Sequence, residues 1–347
     1  MQAYHELLRS TSRTFSVGIE ALPDPLRDAV TLAYLVLRVS DYYEDSPTLS
    51  RKEKRASLLH WAELLEASPE LPESEGMGPL TRHLSPLDGE LPDHRAAQQA
   101  RFILEGLAAL PSRFREPIRR HTVDTTRGMA RWTERGDDFP DEAALDEYMF
   151  EVAGRVGILL TELFAAHSPR VRKRSRSLGK VAVSFGLGLQ TVNVIRGLHE
   201  DPERGWTYVP RHLVSDVHRG SPSSLDLRKL TSAEQERILD FLVWKAAGHI
   251  SDALRYCQLL PRWERGIRTF CIVPALLAAR TALVSRGNRR VFSEPVKVER
   301  REVGRIVLRA RLLFFSNGWL EWQRRRVVSS LKERLRDDDP RARVRPG

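Results

Sequence analysis

An apolar run ends in three acids: Leu35-Val36-Leu37-Arg38-Val39-Ser40-Asp41-Tyr42-Tyr43-Glu44-Asp45. In a helix, Asp41 and Asp45 stand one turn apart on one face, with Glu44 beside them and Arg38 a turn before Asp41. Mg²⁺ is ordinarily held by one or two carboxylates together with the phosphates of a substrate. The chemistry on offer is therefore a diphosphate hung from magnesium in a helical pocket. Acids at helical spacing more often form a solvated face, so the pair needs support from elsewhere in the chain. The segment Gln190-Thr191-Val192-Asn193-Val194-Ile195-Arg196-Gly197-Leu198-His199-Glu200-Asp201 supplies it. Asn193, Gly197 and Asp201 recur every four residues and share a face if the helix continues, with Glu200 close by. Asn193, Glu200 and Asp201 would hold a second magnesium, and Gly197 leaves a gap that water could fill. Two facing helices with inward carboxylates are a known way to build a metal site in a bundle core.

The elements that must position these side chains read as helices from end to end, with no alternating apolar runs bounded by hairpin turns. The pattern predicts a first helix over 3–18, interrupted by Ser10 to Thr14, and a second over about 26–45. Asp24 is expected to cap that second helix, with Pro25 in its first position. Further helices are expected over 51–67, 96–112, 115–134, 144–167, 173–200, 232–258, 262–286 and 299–332. The Pro- and Gly-containing stretch 68–95 reads as the longest loop, and 202–210 as another. Gly179, Gly186 and Gly188 lie inside a predicted helix, where each costs about 1 kcal/mol relative to alanine, so they mark close packing or a pocket wall. We expect one helical domain over 1–335 and a charged tail over 336–347.

A hydrophobic share of 41% in 347 residues supports a sizeable core, and 29% charged residues fit a globular chain. The net charge of +10 favours anionic partners: nucleic acid, a membrane surface or a phosphorylated substrate. Nucleic acid is set aside, because the arginines are spread along the chain and no binding motif appears. Cys257 and Cys271 are too few for a disulfide framework or a cysteine zinc site, which fits a reducing compartment. No secretory signal and no uninterrupted apolar stretch of about 18 residues appears. The expectation is a cytoplasmic monomer, with Arg324, Arg325, Arg326, Lys332 and Arg334 offering peripheral contact with anionic lipid.

Taken in order, these segments resemble the squalene/phytoene synthase family. Ser12-Arg13-Thr14-Phe15 resembles its S-R-[ST]-F segment, and Tyr34 to Asp45 its Y-x-x-x-R-x-x-D-x-x-x-D motif. Tyr148 to Gly157 resembles its Y-x-x-x-V-A-G-x-V-G block. Gln190 to Asp201, with Gly205-Trp206-Thr207-Tyr208-Val209-Pro210, resembles its second acidic motif and the loop after it. Phe270 to Pro274, Val291-Phe292 and Val296-Lys297-Val298 are more like the squalene synthase branch than the phytoene branch.

The resemblance implies an all-α isoprenoid synthase fold, a single bundle around a central apolar cavity. It implies that Asp41 and Asp45 bind a diphosphate through Mg²⁺ with Glu44 assisting, and that Asn193, Glu200 and Asp201 serve a second metal cluster. Arg13, Arg38 and Arg196 become diphosphate-binding or bracing cations, and Gln190, Phe15, Val152 and Gly154 substrate contacts. Tyr148, with Asp41, Asp45 and Arg38, is expected in the catalytic set, and Val152 to Gly154 with Phe185 to Leu189 in the cavity wall. The implied reaction joins two farnesyl diphosphates head to head into presqualene diphosphate, and with NADPH into squalene. Dehydrosqualene or phytoene synthesis, or prenyl transfer to an aromatic acceptor, is the alternative. The chain departs from the pattern twice: Gly197 replaces an expected aspartate, and Glu151 stands where squalene synthases carry tyrosine.

Overall fold

The computed structural model describes residues 1–11, 13–68, 74–89, 91, 93–136, 138–204, 206–214 and 225–337. Among these every regular element is helical. In chain order they are α1 (Gln2–Thr11), α2 (Arg13–Ile19), α3 (Leu26–Asp45), α4 (Arg51–Ala67), α5 (Gly78–Arg82), α6 (His94–Gln98), α7 (Ala100–Ala109) and α8 (Ser112–Arg135). Then come α9 (Glu142–Met149), a π-helical turn (Phe150–Gly154), α10 (Arg155–His167), α11 (Pro169–Arg172), α12 (Ser175–Gly197), α13 (Ser232–Leu259), α14 (Arg265–Ser285), α15 (Arg300–Leu313) and α16 (Asn317–Asp337).

Local chemistry sets many of these boundaries. Ser50 and Glu53 form a reciprocal capping box at the start of α4, and Thr231 and Glu234 form another at α13. The expected cap on α3 does not form. Pro25 occupies the N-cap position and makes no side-chain cap bond, while the Asp24 carboxylate takes the Arg27 guanidinium at 2.7 Å. The break between α7 and α8 falls at Leu110–Pro111 rather than near 113–114, because a residue before proline is pushed out of the α region, and Leu110 sits at ψ 147°. The stretch expected to be all loop holds α5, two 3₁₀ turns and the start of α6, with 69–73 outside the described residues.

The chain divides into two compact units. The first comprises Met1–Gly136 and Arg155–Ser175. Its core joins Leu26, Leu32, Leu35 and Val36 of α3 to Trp61 and Leu65 of α4 and to Phe114 and Ile118 of α8, all essentially inaccessible. The Trp61 indole N–H donates to the Val36 carbonyl at 3.3 Å, which ties α4 to α3.

The second unit comprises Asp137–Gly154 and Arg176–Gly347. Here α12 comes unusually close to its neighbours. A Cβ on Gly186 would lie 2.1 Å from the Ala153 carbonyl oxygen, and one on Gly188 would lie 3.2 Å from His249 backbone in α13. These two glycines mark close packing; Gly179 has nothing within 4 Å. The helix expected over 299–332 is two helices, α15 and α16. Arg268, fully buried on α14, donates to the carbonyls of Phe314 at 2.5 Å and Leu260 at 2.6 Å, and to Asn317 Oδ1 at 2.8 Å. The Ser316 hydroxyl accepts the Trp319 N–H at 3.2 Å and starts α16. One buried guanidinium thus ties together the ends of α13 and α15 and the beginning of α16. By length and hydropathy α12 and α14 could cross a membrane, yet more than half of each apolar window is buried in the protein.

The two glycine environments predict opposite outcomes for the same change. Gly186→Ala forces a methyl into a backbone carbonyl and should cost about 3 kcal/mol or prevent folding. Gly179→Ala meets open space and should stabilise by up to about 1 kcal/mol. Thermal denaturation of both variants checks this, and similar melting temperatures would contradict the packing.

Candidate active site

The first unit carries the first acidic cluster. Asp41 lies on α3 with its side chain 26% exposed and accepts from Arg38 Nη1 at 2.8 Å. Arg38 also grips Asp93 through a very short ion pair, and its guanidinium lies 5.7 Å from the Tyr34 ring centroid. Asp93 was not anticipated. It stands just before α6, in the stretch that reads as loop, and is 8% exposed. Burial works against the Arg38 charge, but Asp41 and Asp93 outweigh it and hold the group above its ordinary range. The Asp41 carboxyl is pushed up to about 7 overall: burial raises it most, Arg38 pulls it down, and Asp93 and Asp45 raise it.

Asp45 is half-buried at the end of α3. Glu44 is 5% exposed, and its backbone carbonyl accepts from Lys54 Nζ at 2.8 Å. Glu44 therefore sits on the protein side of the cluster, behind Asp41 and Asp45. Arg13 and Phe15 fall in α2, but their side chains lie outside the described residues.

The second unit carries the other predicted residues. Tyr148, 2% exposed at the end of α9, stands among Phe139, Trp206 and Tyr208. Its ring centroid is 5.6 Å from Trp206 and 5.3 Å from Tyr208, and the two phenolic oxygens are 3.2 Å apart. Lys245 of α13, 4% exposed, anchors α9 by pairing with Glu142 at 3.0 Å and with Asp146. The π-helical turn follows at once. It contains half-buried Val152, buried Glu151 and Gly154, whose Cβ position lies 2.8 Å from the Phe150 ring and 3.2 Å from Val183. Such turns commonly occur at functional sites.

The second acidic segment differs from its expected geometry. The helix α12 ends at Gly197, so Asp201 does not continue the face of Asn193. Pro202 follows Asp201 and disfavours helix there. The chain turns instead, with the Glu200 N–H donating to the Gly197 carbonyl at 2.8 Å and His199 Nδ1 to the Arg196 carbonyl at 2.9 Å. This turn swings the Asp201 carboxylate back over Gly197. A Cβ built on Gly197 would lie 2.1 Å from Asp201 Oδ2. The gap expected to hold water is filled by Asp201. Asn193 and Arg196 are exposed, and the Asn193 amide reaches Gln190 Oε1 at 3.5 Å.

Each segment presents hard oxygen donors, the class magnesium prefers. Among the described residues, no three His, Cys, Asp or Glu side chains are grouped to hold a metal. A pair of carboxylates suits a magnesium ion whose remaining ligands are water and phosphate oxygens, so the donor set fits that ion.

Comparison with known proteins places the chain. The squalene/phytoene synthase family model matches residues 8–302. The squalene synthase of Candida albicans is 29% identical over 317 residues, covering 89% of this chain and 67% of that one. The Schizosaccharomyces pombe squalene synthase is 30% identical over 309 residues, 88% of this chain and 64% of its own length. The Homo sapiens squalene synthase is 28% identical over 315 residues, 86% and 67%. Among solved structures, the complex of TcSQS with the ligand BPH1237 superposes with a TM-score of 0.72 at 21% identity, covering 96% of this chain and 98% of that one. A dehydrosqualene synthase in complex with ligand gives 0.60 at 15% identity, 90% and 97%. These likenesses establish the all-α isoprenoid synthase fold.

The raised Asp41 pKa makes a prediction for the metal-free protein. The folded carboxyl titrates at about 7 against 3.8 for the ordinary group. The stability from holding that proton is fully present below the unfolded value and is lost as pH rises through the folded one. The metal-free protein should lose stability between about pH 4 and about pH 7 through this group, and Asp41→Asn should shrink the loss. Melting curves of both proteins in chelator check it; an equal loss in both would show that Asp41 ionises normally.

Proposed function

Because the chain belongs to the squalene/phytoene synthase family of prenyltransferases, we propose that it joins two molecules of farnesyl diphosphate head to head. The observation that carries this reading is the end of α3, where Asp41 accepts from a doubly held Arg38 and Asp45 stands one turn on. A cation fixed beside paired carboxylates suits a diphosphate bound through magnesium and leaving as an anion.

In this proposal Asp41 and Asp45 hold the metal of the departing diphosphate, with Glu44 supporting from the buried side. Bound there, Mg²⁺ would neutralise charge that develops on the leaving group. Arg38 orients Asp41, and Arg13 and Arg196 add positive charge toward the diphosphates. Asn193, Glu200 and Asp201 serve the second cluster, with Asp201 supplying its carboxylate at the place an aspartate on position 197 would occupy. Gln190, Phe15, Val152 and Gly154 line the prenyl chains, and an apolar lining excludes water from the allylic cation. Tyr148 donates or accepts a proton at its phenolic oxygen, relayed through Tyr208.

Presqualene diphosphate is the first product. NADPH enters as a consumed co-substrate if the reaction runs on to squalene. Formation of dehydrosqualene or phytoene, or transfer to an aromatic acceptor, is the second reading. It is favoured by the lack of a carboxylate at position 197 itself, where Asp201 folds back over Gly197, and by Glu151 in the π-helical turn. We further propose that residues 1–335 act as one functional domain, with a charged tail over 336–347, and that the protein is a cytoplasmic monomer with peripheral lipid contact. Of the basic residues expected to make that contact, Arg324 and Arg325 pair with Glu321 and Arg326 stacks on Trp322, while the side chains of Lys332 and Arg334 lie outside the described residues.

Farnesyl diphosphate and Mg²⁺ should give presqualene diphosphate, and squalene only when NADPH is added, as read by mass spectrometry. Asp41→Asn or Asp45→Asn should lower turnover by about 100-fold or more, and Tyr148→Phe by about 100-fold. No consumption of farnesyl diphosphate by folded protein, or undiminished turnover in the aspartate variants, would reject the reading.

A further inference from the structure

The outer face of α15 is unlike that of a helix meeting only water. Its residues include five arginines, Arg300, Arg301, Arg305, Arg309 and Arg311, and one acid, Glu302. That acid is already committed, pairing with Arg280 of α14 at 2.6 Å. Among the described residues, none of the five arginines is paired with a carboxylate. The inner face, including Ile306 and Ala310, is half-buried or buried where α15 packs on α14. On the opposite side, Leu308, Leu312 and Phe315 are 57%, 62% and 47% exposed.

Leu308 and Leu312 stand one turn apart in a single stripe, and Phe315 is exposed just past the end of α15. At about 100° per residue, Arg305 and Arg309 fall on one flank of that stripe, Arg300 and Arg311 on the other, and Arg301 in line with it at its N-terminal end. An apolar stripe between two basic rows is the pattern of a helix lying in the plane of a lipid surface. The long arginine side chains can reach outward to headgroup phosphates while their stems cover apolar surface. We propose that this face seats the protein on an anionic lipid bilayer. Leu308, Leu312 and Phe315 enter the boundary between headgroups and acyl chains, and the flanking arginines meet lipid phosphates.

Charge selects this occupant over others. A second copy of the chain would set one arginine array against another. Nucleic acid would satisfy the arginines but leave the leucines exposed to water. A bilayer with anionic headgroups satisfies both at once. The proposal concerns where the protein sits and stands whether or not farnesyl diphosphate is the substrate.

Flotation of the full chain with lipid vesicles tests it, using phosphatidylcholine alone and phosphatidylcholine mixed with phosphatidylglycerol. The protein should float with the mixed vesicles at low salt, and at least about tenfold less with neutral vesicles or at high salt. Leu308→Ser with Leu312→Ser should weaken binding about tenfold, and so should Arg305→Gln with Arg309→Gln and Arg311→Gln. Trp263→Ser, a 77% exposed control away from this helix, should float like the parent. Melting temperatures of all variants confirm that they fold. Failure of the parent to float, or leucine variants floating as well as the parent, would overturn the proposal. So would a parent dimer that the leucine variants convert to monomer, since the stripe would then join two copies.

Discussion

The acidic end of α3 stands on one guanidinium. Asp93 and Asp45 raise the cost of ionising Asp41, and Arg38 is the cation that offsets it. Removing such a cation from a partly buried site leaves carboxylates that must either take up protons or draw in another positive charge. Arg38 is held from two sides, by Asp41 from its own helix and by Asp93 from the turn before α6. The position of a side chain on α3 therefore depends on the packing of a segment about fifty residues later.

The second unit solves a different problem with the same residue type. Gly186 and Gly188 let α12 lie against the backbone of its neighbours, and Gly197 lets a carboxylate fold back over the end of that helix. In the first two cases the missing side chain is replaced by packing, and in the third by a functional group from four residues on. Position 197 thus keeps an acidic oxygen nearby without an acidic residue in it. Tyr148 depends on the same unit, since Lys245 holds α9 to α13 through Glu142 and Asp146.

What could be read from the sequence was what local chemistry determines. The limits of α3 and α4 are where periodicity places them, with a capping box at the start of α4, and the first acidic segment announces itself by spacing. What escaped depends on distant partners. Asp93 sits in a stretch without periodicity, and only its tertiary contact with Arg38 gives it a role. The division of α15 from α16 is sustained by Arg268, which precedes Phe314 by 46 residues. Asp24 looked like a cap until Arg27 claimed its carboxylate. The return of Asp201 over Gly197 could have been suspected from Pro202, which argues against one more turn of helix.

The π-helical turn at Phe150–Gly154 carries a consequence best stated as phase. One residue more than an α-turn needs is lodged there, and each helical residue advances about 100°. The surplus offsets the helical phase of Tyr148 from that of Gly154 by about this angle. Deleting one residue would turn Tyr148 by about that angle relative to Gly154, which packs against Phe150 and Val183. The segment is therefore constrained first in length and only then in composition: it can absorb exchanges of side chains more readily than the loss of a single position.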